Sequence, residues 1–226
     1  MGLIKYLKNR HHGQKGVIIC NGPSLNNMEL SFLQRETTIG LNKIFLGFKK
    51  FKFYPNYYVC VNKKVLEQAQ QDIKQLTCRK FLSNRCGNLF QNDYLTHVID
   101  TSAPSARFCK NIESNIEEGW TVTYAALQIA YYLGFKEVFI IGMDHSFQYN
   151  GAPNAESIMT QKDPNHFSDE YFAKGCTWDN PDLKNSERSY EIARQVYENS
   201  GRRIYDATVG GNCDVFEKVD YTSVFL

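Results

Sequence analysis

Short apolar runs, each strand-sized, recur along the chain and end in polar turn residues. The first is GVIIC at 16–20, an unbroken run of the kind that a strand buried on both faces requires. It stops at Asn21-Gly22-Pro23-Ser24, a turn sequence. Residues 26–33 fit a short helix. Further strand-sized runs lie at 37–41, ending at Asn42, and at 57–61, ending at Asn62. Residues 63–76 carry helical apolar spacing through Val65, Leu66, Ala69, Ile73 and Leu76. Weaker strand patterns occupy 79–82 and 95–99.

The clearest unit follows. A helix of small and apolar residues is predicted over 121–133, with Thr121 as N-cap and Gly134 as C-cap. A buried strand, EVFII at 137–141, comes directly after it. This half of a βαβ unit predicts an α/β, Rossmann-like fold: a mostly parallel sheet flanked by helices. From 142 to about 181 the periodicity fails amid Asn, Gly, Pro, Asp and Ser. Phe167, Tyr171, Phe172 and Trp178 mark this stretch as more than a linker, and a partly helical lid is expected over about 146–182. A last long helix spans 184–199, stopped by Gly201, and a final strand covers 203–206. The expected organisation is a polar leader at 1–14 and a single domain at 15–226.

Composition narrows the function classes. Lys plus Arg is 26 and Asp plus Glu is 24, a net charge of only +2, which offers no support for a nucleic-acid binder. No run approaches the roughly 20 apolar residues of a spanning helix. The leader lacks the apolar centre of a signal peptide. The seven cysteines are odd in number and contain no C-x-x-C pair, which points to a reduced, cytoplasmic protein without a structural zinc site.

In open α/β sheets, ligands bind outside the carboxyl ends of the strands. The strands predicted here end there in polar residues: Asn21 to Ser24, Asn42, Asn62, and Gly142-Met143-Asp144-His145, with Asp206, Thr208, Gly210 and Gly211 after the last strand. IICNGPSL is neither a G-x-G-x-x-G fingerprint nor a P-loop. Its Gly22 allows close approach of a phosphate, and Ser24 either donates to a ligand or caps a helix. Asn42 and Asn62 are turn formers taken singly; together they suit a ligand shelf for ribose hydroxyls or a base edge. Asp144 suits a ribose, an acceptor hydroxyl or a metal, against a turn role. His145 is a base, a phosphate partner or a packed ring. His166, within DPNHF, is the best candidate for an acid or base near neutrality. His11 and His12 read as incidental, His97 as core or edge, and Cys20 as packing.

In their order, the NGPSL opening, Asn42, Asn62, the helix at Thr121 and the GFKEVFIIGMD strand resemble the bacterial CMP-sialic-acid-dependent sialyltransferases, glycosyltransferase family 42. DHSF at 144–147, NHF at 165–167 and GRRIYDATVGG at 201–211 bring the chain still closer to the DUF115 family, also labelled 6-hydroxymethylpterin pyrophosphokinase MptE-like. The likeness runs over about 15–225. It implies that Asn21, Gly22, Pro23 and Ser24 hold the cytidine monophosphate of a CMP-sugar, with Asn42 and Asn62 on its phosphate, ribose or sugar. Thr121 and Thr123 begin the nucleotide-pocket helix, and Asp144 and His145 join the donor site. Val122 and Thr123 stand where that family has Ser and Gly. The implied base on the acceptor hydroxyl is His166, Asp169 near the family's later His position, or neither, with Asp144 as a further catalytic candidate. Tyr149 and Tyr171 are stand-ins for tyrosines that assist the leaving phosphate.

The implied reaction is inverting transfer of a sialic-acid-like (nonulosonic) sugar to a glycan hydroxyl, in surface polysaccharide or glycoconjugate synthesis. It calls for no resident cofactor and no metal, because hydrogen bonds can support a leaving group with one phosphate. The alternatives are a pterin diphosphokinase, which needs ATP and Mg²⁺ held by Asp144 with Asp163, Asp169 or Asp206, and a non-catalytic nucleotide-sugar-binding protein. The expected partners are the donor and a glycan acceptor, with no nucleic acid. Homo-oligomers are implied by family likeness. The expected place is the cytoplasm, or the face of the inner membrane through an acceptor or partner.

Overall fold

The computed structural model describes residues 4–102 and 107–226; Met1, Gly2 and Leu3 of the leader lie outside it. The strands are β1 (Lys15–Ile19), β2 (Thr38–Leu41), β3 (Tyr57–Cys60), β4 (Arg79–Ser83), β5 (Thr96–Ile99), β6 (Thr101–Ser102), β7 (Ile116–Glu117), β8 (Glu137–Ile141), β9 (Glu156–Ile158), β10 (Thr177–Asp179), β11 (Arg203–Asp206) and β12 (Glu217–Lys218). The helices are α1 (Phe48–Phe51), α2 (Lys63–Gln68), α3 (Gln70–Gln75), α4 (Val122–Leu133), α5 (Leu183–Glu198) and α6 (Tyr221–Phe225).

Eight strands form one sheet in the order β12-β11-β8-β1-β2-β3-β4-β5. Every pairing within it is parallel. The chain runs outward from β1 to β5, then returns to the other side of β1 as β8. The order therefore reverses between β1 and β8, and the crevice at such a switch point is where doubly wound sheets bind ligands.

The unbroken apolar runs are explained by burial on both faces. Alternate residues feed two cores. Val17, Ile19, Tyr58, Cys60, Phe139 and Ile141 face one layer, with α2, α3, α6 and the lid aromatics. Ile18, Ile39, Leu41, Val59, Val138 and Ile140 face the other, against α4 and α5. Helix α4 is buried along nearly its whole length, which is why it carries small and apolar residues on every face. Its ends are as the sequence predicts: Thr121 caps through its hydroxyl, and Gly134 terminates in the left-handed region at φ 94°.

Three local readings change. Residues 26–33 form two 3₁₀ turns, Pro23–Asn27 and Ser31–Gln34, rather than one helix. The predicted helix over 63–76 breaks at Ala69 (φ −113°, ψ 24°) into α2 and α3. The segment 146–182 contains no helix; its regular structure is the antiparallel pair β9–β10. Its aromatics anchor it to the core, and Gly151 and Gly175 in left-handed conformation turn the chain where a helix would need to continue.

The leader packs against the end of α4. Asn9, His11 and Gly13 donate backbone N–H groups to the carbonyls of Tyr132, Leu133 and Gly134. The His11 ring stacks on Phe135 at 4.8 Å and meets the Tyr57 hydroxyl at 2.8 Å. Its role is thus structural.

His97 on the edge strand β5 is buried beside Phe81, and its Nε2 has no partner among the described residues. Burial, helped by the nearby Arg79 charge, lowers its pKa from 6.5 to about 4. In the unfolded chain the ring regains its ordinary value. The stability it allows is therefore present above about pH 6.5 and is lost as pH falls towards 4. We predict that His97→Phe narrows the drop in thermal midpoint between pH 7 and pH 4.5 relative to the wild type, read by circular dichroism. An unchanged drop contradicts the assignment.

Candidate functional site

Backbone bonds carry the β1–β8 pairing past the strand ends, with Cys20 N–H donating to Ile141 and Gly22 N–H to Gly142. Asp144 then reaches back across the switch point. Its Oδ1 accepts the Ser24 backbone N–H at 3.0 Å, and its Oδ2 accepts the Ser24 hydroxyl at 2.6 Å. Gly22 makes room for this carboxylate: a Cβ there would sit 1.8 Å from Oδ2. Gly22 has φ −69°, open to any residue, so the need for glycine is steric and not conformational.

A cleft of about 500 Å³ opens above this clamp. Of the residues singled out from sequence, Asn21, Gly22, Asn42, Asn62, Thr121, Thr123, Asp144, His145 and His166 line it. Pro23, Ser24 and Asp169 do not. The Ser24 hydroxyl is spent on Asp144, which makes Ser24 a brace for the loop. Asp169 lies on the surface, paired with Lys162 at 2.8 Å.

The strand-end residues have distinct tasks. Asn62 caps α2, its Oδ1 accepting the Val65 N–H at 3.2 Å. Asn21 donates its amide to the Leu41 carbonyl at 3.1 Å, tying β1 to β2. Asn42 adopts a left-handed conformation (φ 46°), a region open to Asn, and its carbonyl accepts the Tyr58 hydroxyl. The Oδ1 atoms of Asn21 and Asn42 are buried without a partner among the described residues. Each is an unused acceptor at a strand end. Thr121 holds the start of α4 and touches the Tyr190 hydroxyl, and Thr123 meets the Cys20 sulfur at 3.4 Å. Burial pushes the Cys20 thiol up to about 12, so it acts as packing and not as a nucleophile.

Two histidines are each held by a carboxylate. His145, at φ 52°, meets Glu187 on α5 through Nε2 at 2.9 Å. His166 donates from Nδ1 to Asp163 at 2.7 Å, and the Asp163 side chain is fully buried. Asp163 also accepts the Asn165 N–H, so its position is fixed. The His166 ring lies parallel to Tyr171, 3.7 Å away. An imidazole with Nδ1–H committed to a carboxylate keeps Nε2 as its basic atom. Asp163 as the partner of His166 was legible only in the D-x-x-H spacing. Tyr171 is buried and its pKa is raised by that burial, whereas Tyr149 packs in the core away from the cleft lining.

The lid is fixed to the sheet at several points. The Phe167 N–H donates to the Asn21 carbonyl, and Asn26 donates to the Phe167 carbonyl. Lys43, buried after β2, donates to the Tyr171 carbonyl at 2.7 Å, and its ammonium lies over the Phe172 ring. Lys64 pairs with Glu156 and Asp179. On the far wall, Arg85 and Glu118 line the cleft as a pair at 2.6 Å, with Thr101 donating to the other Glu118 oxygen. Burial raises the Glu118 pKa against the pull of those two partners. Nothing in the local sequence announced Lys43, Arg85 or Glu118, because each acquires its role through distant partners. Among the described residues no three His, Cys, Asp or Glu side chains come together to hold a metal, and no helix is long and apolar enough to cross a membrane.

These features define a doubly wound α/β protein with a cleft at its switch point and a lid bearing a carboxylate-held histidine. Residues 2–150 match the family described as 6-hydroxymethylpterin diphosphokinase MptE-like, and the chain belongs to that family. The match ends within the lid, ahead of Asp163 and His166. No functionally curated protein matches the sequence. Among solved structures, the chain is similar to the MAf glycosyltransferase from Magnetospirillum magneticum AMB-1, with a TM-score of 0.59 and 14% identity. The alignment covers 99% of this chain and 38% of that one, so the likeness is one of fold and spans well under half of the larger protein.

The clamp predicts a double-mutant cycle. Gly22→Ala is expected to lower stability by about 1–3 kcal/mol in urea unfolding, from overpacking against Asp144. In an Asp144→Ala background the same change is expected to cost clearly less. Strict additivity contradicts the clamp.

Proposed function

We propose that this chain is a glycosyltransferase that moves a sialic-acid-like sugar from a CMP-sugar to a glycan hydroxyl with inversion. The observation that carries the reading is the Asp163–His166 pair, held in the lid against the switch-point cleft. The shared fold with a glycosyltransferase supports it. The donor phosphate lies by the strand-end asparagines, whose amides and neighbouring backbone groups support the departing CMP, and not on Gly22 as the sequence suggests, because the Asp144 carboxylate fills the space that this glycine leaves. The acceptor oxygen attacks the anomeric carbon from the face opposite the phosphate. The carbon–oxygen bond to CMP breaks as the new glycosidic bond forms, and His166 Nε2 takes the acceptor proton. Asp163 holds the ring in the required tautomer and stabilises the imidazolium. Asp144 positions the first loop through both its oxygens, which hold Ser24. Asp169 has no part in this account.

The family description favours a second reading, a pterin diphosphokinase using ATP and Mg²⁺. Against it stands the engagement of the acids it needs with other partners. Asp144 serves Ser24, Asp163 serves His166, Asp169 pairs with Lys162, and Asp206 accepts the Thr208 N–H.

Calorimetric titration with CMP, CDP, UDP and ATP, with and without Mg²⁺, separates the two. The expected result is metal-independent preference for CMP, weakened by Asn42→Ala. Preference for ATP with Mg²⁺ overturns the proposal. Once a CMP-sugar substrate is in hand, His166→Asn is expected to lower turnover by about 10²- to 10⁴-fold with CMP affinity retained. Turnover within a factor of a few of the wild type would remove His166 as the base.

A further inference from the structure

The chain has two tryptophans; both line the cleft, but they differ in burial. Trp178 is buried in the first core, against Phe172. Trp120 belongs to neither core. It is half-buried, it lines the cleft, and no ring of the described residues stacks on it. Its backbone is also unusual. Gly119 (φ 56°) and Trp120 (φ 62°) are both left-handed, immediately before the Thr121 cap of α4. A Cβ at Gly119 would fall 2.2 Å from the Tyr124 ring, so the chain is pressed onto α4 there and glycine serves. For Trp120 the same conformation is disfavoured, because a bulky residue at positive φ crowds its own carbonyl. The structure around it keeps the residue in place: the Trp120 carbonyl accepts the Ser186 hydroxyl at 3.5 Å, and Thr121 contacts Tyr190. A large aromatic residue in a strained conformation, used by neither core, thus lines the cleft.

We propose that the Trp120 indole is the stacking platform for the nucleobase of the bound nucleotide. The inference rests on the reading that the cleft takes a nucleotide, and it adds which wall receives the base. A flat, half-exposed indole offers a face to any planar heterocycle, and such stacking is tolerant of ring identity. The position fits the rest of the site. Trp120 stands at the start of α4, whose Thr123 touches Cys20 just past β1, so a base on the indole leaves the rest of the nucleotide towards the strand ends and the lid that line the same cleft.

Trp120→Gly is the decisive variant, because glycine adopts the left-handed backbone without strain. A structural tryptophan and a stacking tryptophan then give opposite results. We expect the variant to melt at the same temperature as the wild type or higher. Its affinity for CMP is expected to fall about tenfold or more by calorimetry. Its affinity for ribose 5-phosphate, which has no base, is expected to stay as in the wild type. Trp120→Phe is expected to keep most of the CMP affinity. A lower melting temperature with unchanged CMP affinity overturns the proposal, as does an equal loss on CMP and ribose 5-phosphate. If the wild-type protein binds neither ligand, the nucleotide reading falls and the platform falls with it. If the wild type binds CMP and Trp120→Gly binds it equally well, only the platform is lost.

Discussion

The carboxylate of Asp144 bridges the two strands between which the sheet reverses direction. Both oxygens are engaged by Ser24, and hydrogen bonds to a charged group contribute about 1.5–3 kcal/mol each, so the bridge is among the stronger local interactions of the loop. It fixes the path of residues 21–24, which in turn sets where the Asn21 carbonyl lies. The Phe167 N–H docks on that carbonyl, next to His166. The lid histidine is thereby referred to the sheet through a short chain of polar contacts that starts at Asp144. Glycine at 22 is the steric condition for all of it.

Around this bridge, charge is placed with little waste. His145 and His166 each face a carboxylate from another part of the chain or three residues away. Lys43 is a buried cation, and burial lowers its pKa, yet it earns a carbonyl, an amide and an aromatic face. Its task is to hold the lid backbone at Tyr171, and through the stacked rings it limits how far His166 can move. Asp206, buried at the end of β11, has one oxygen on the Thr208 N–H and one without a partner among the described residues. Burial raises its pKa, which sets it apart from the exposed carboxylates.

How much of this was legible in the sequence depended on whether the cause was local. Apolar runs such as GVIIC and EVFII announced strands buried on both faces, and Thr121 and Gly134 announced the ends of α4, because these signals depend on neighbours in the chain. Strand-end asparagines were legible as polar shelves. Their division of labour was not: Asn62 proved a helix cap, and Asn21 a tie between strands. Ser24 carried the sequence pattern of a ligand donor but found Asp144, 120 residues away. His166 stands out, and its partner Asp163 shows only as the D-x-x-H spacing, while the surface position of Asp169 depends on a lid path that no periodicity encodes. The same holds for the lid itself, whose aromatic anchors are spaced for packing and not for the partial helix that the sequence predicts. Nothing in the sequence marks Trp120, because its left-handed backbone and its place outside both cores appear only in the fold.

Under the proposed function, a nucleotide would occupy the switch-point cleft, floored by the Asp144 bridge and bordered by the lid. Hydrogen exchange followed by mass spectrometry, with and without saturating CMP, tests that claim most directly. Slowed exchange is expected in peptides covering 20–27, 142–147 and 163–172, with the outer sheet edge at β5 unaffected. Protection concentrated outside those segments, with CMP demonstrably bound, would contradict it.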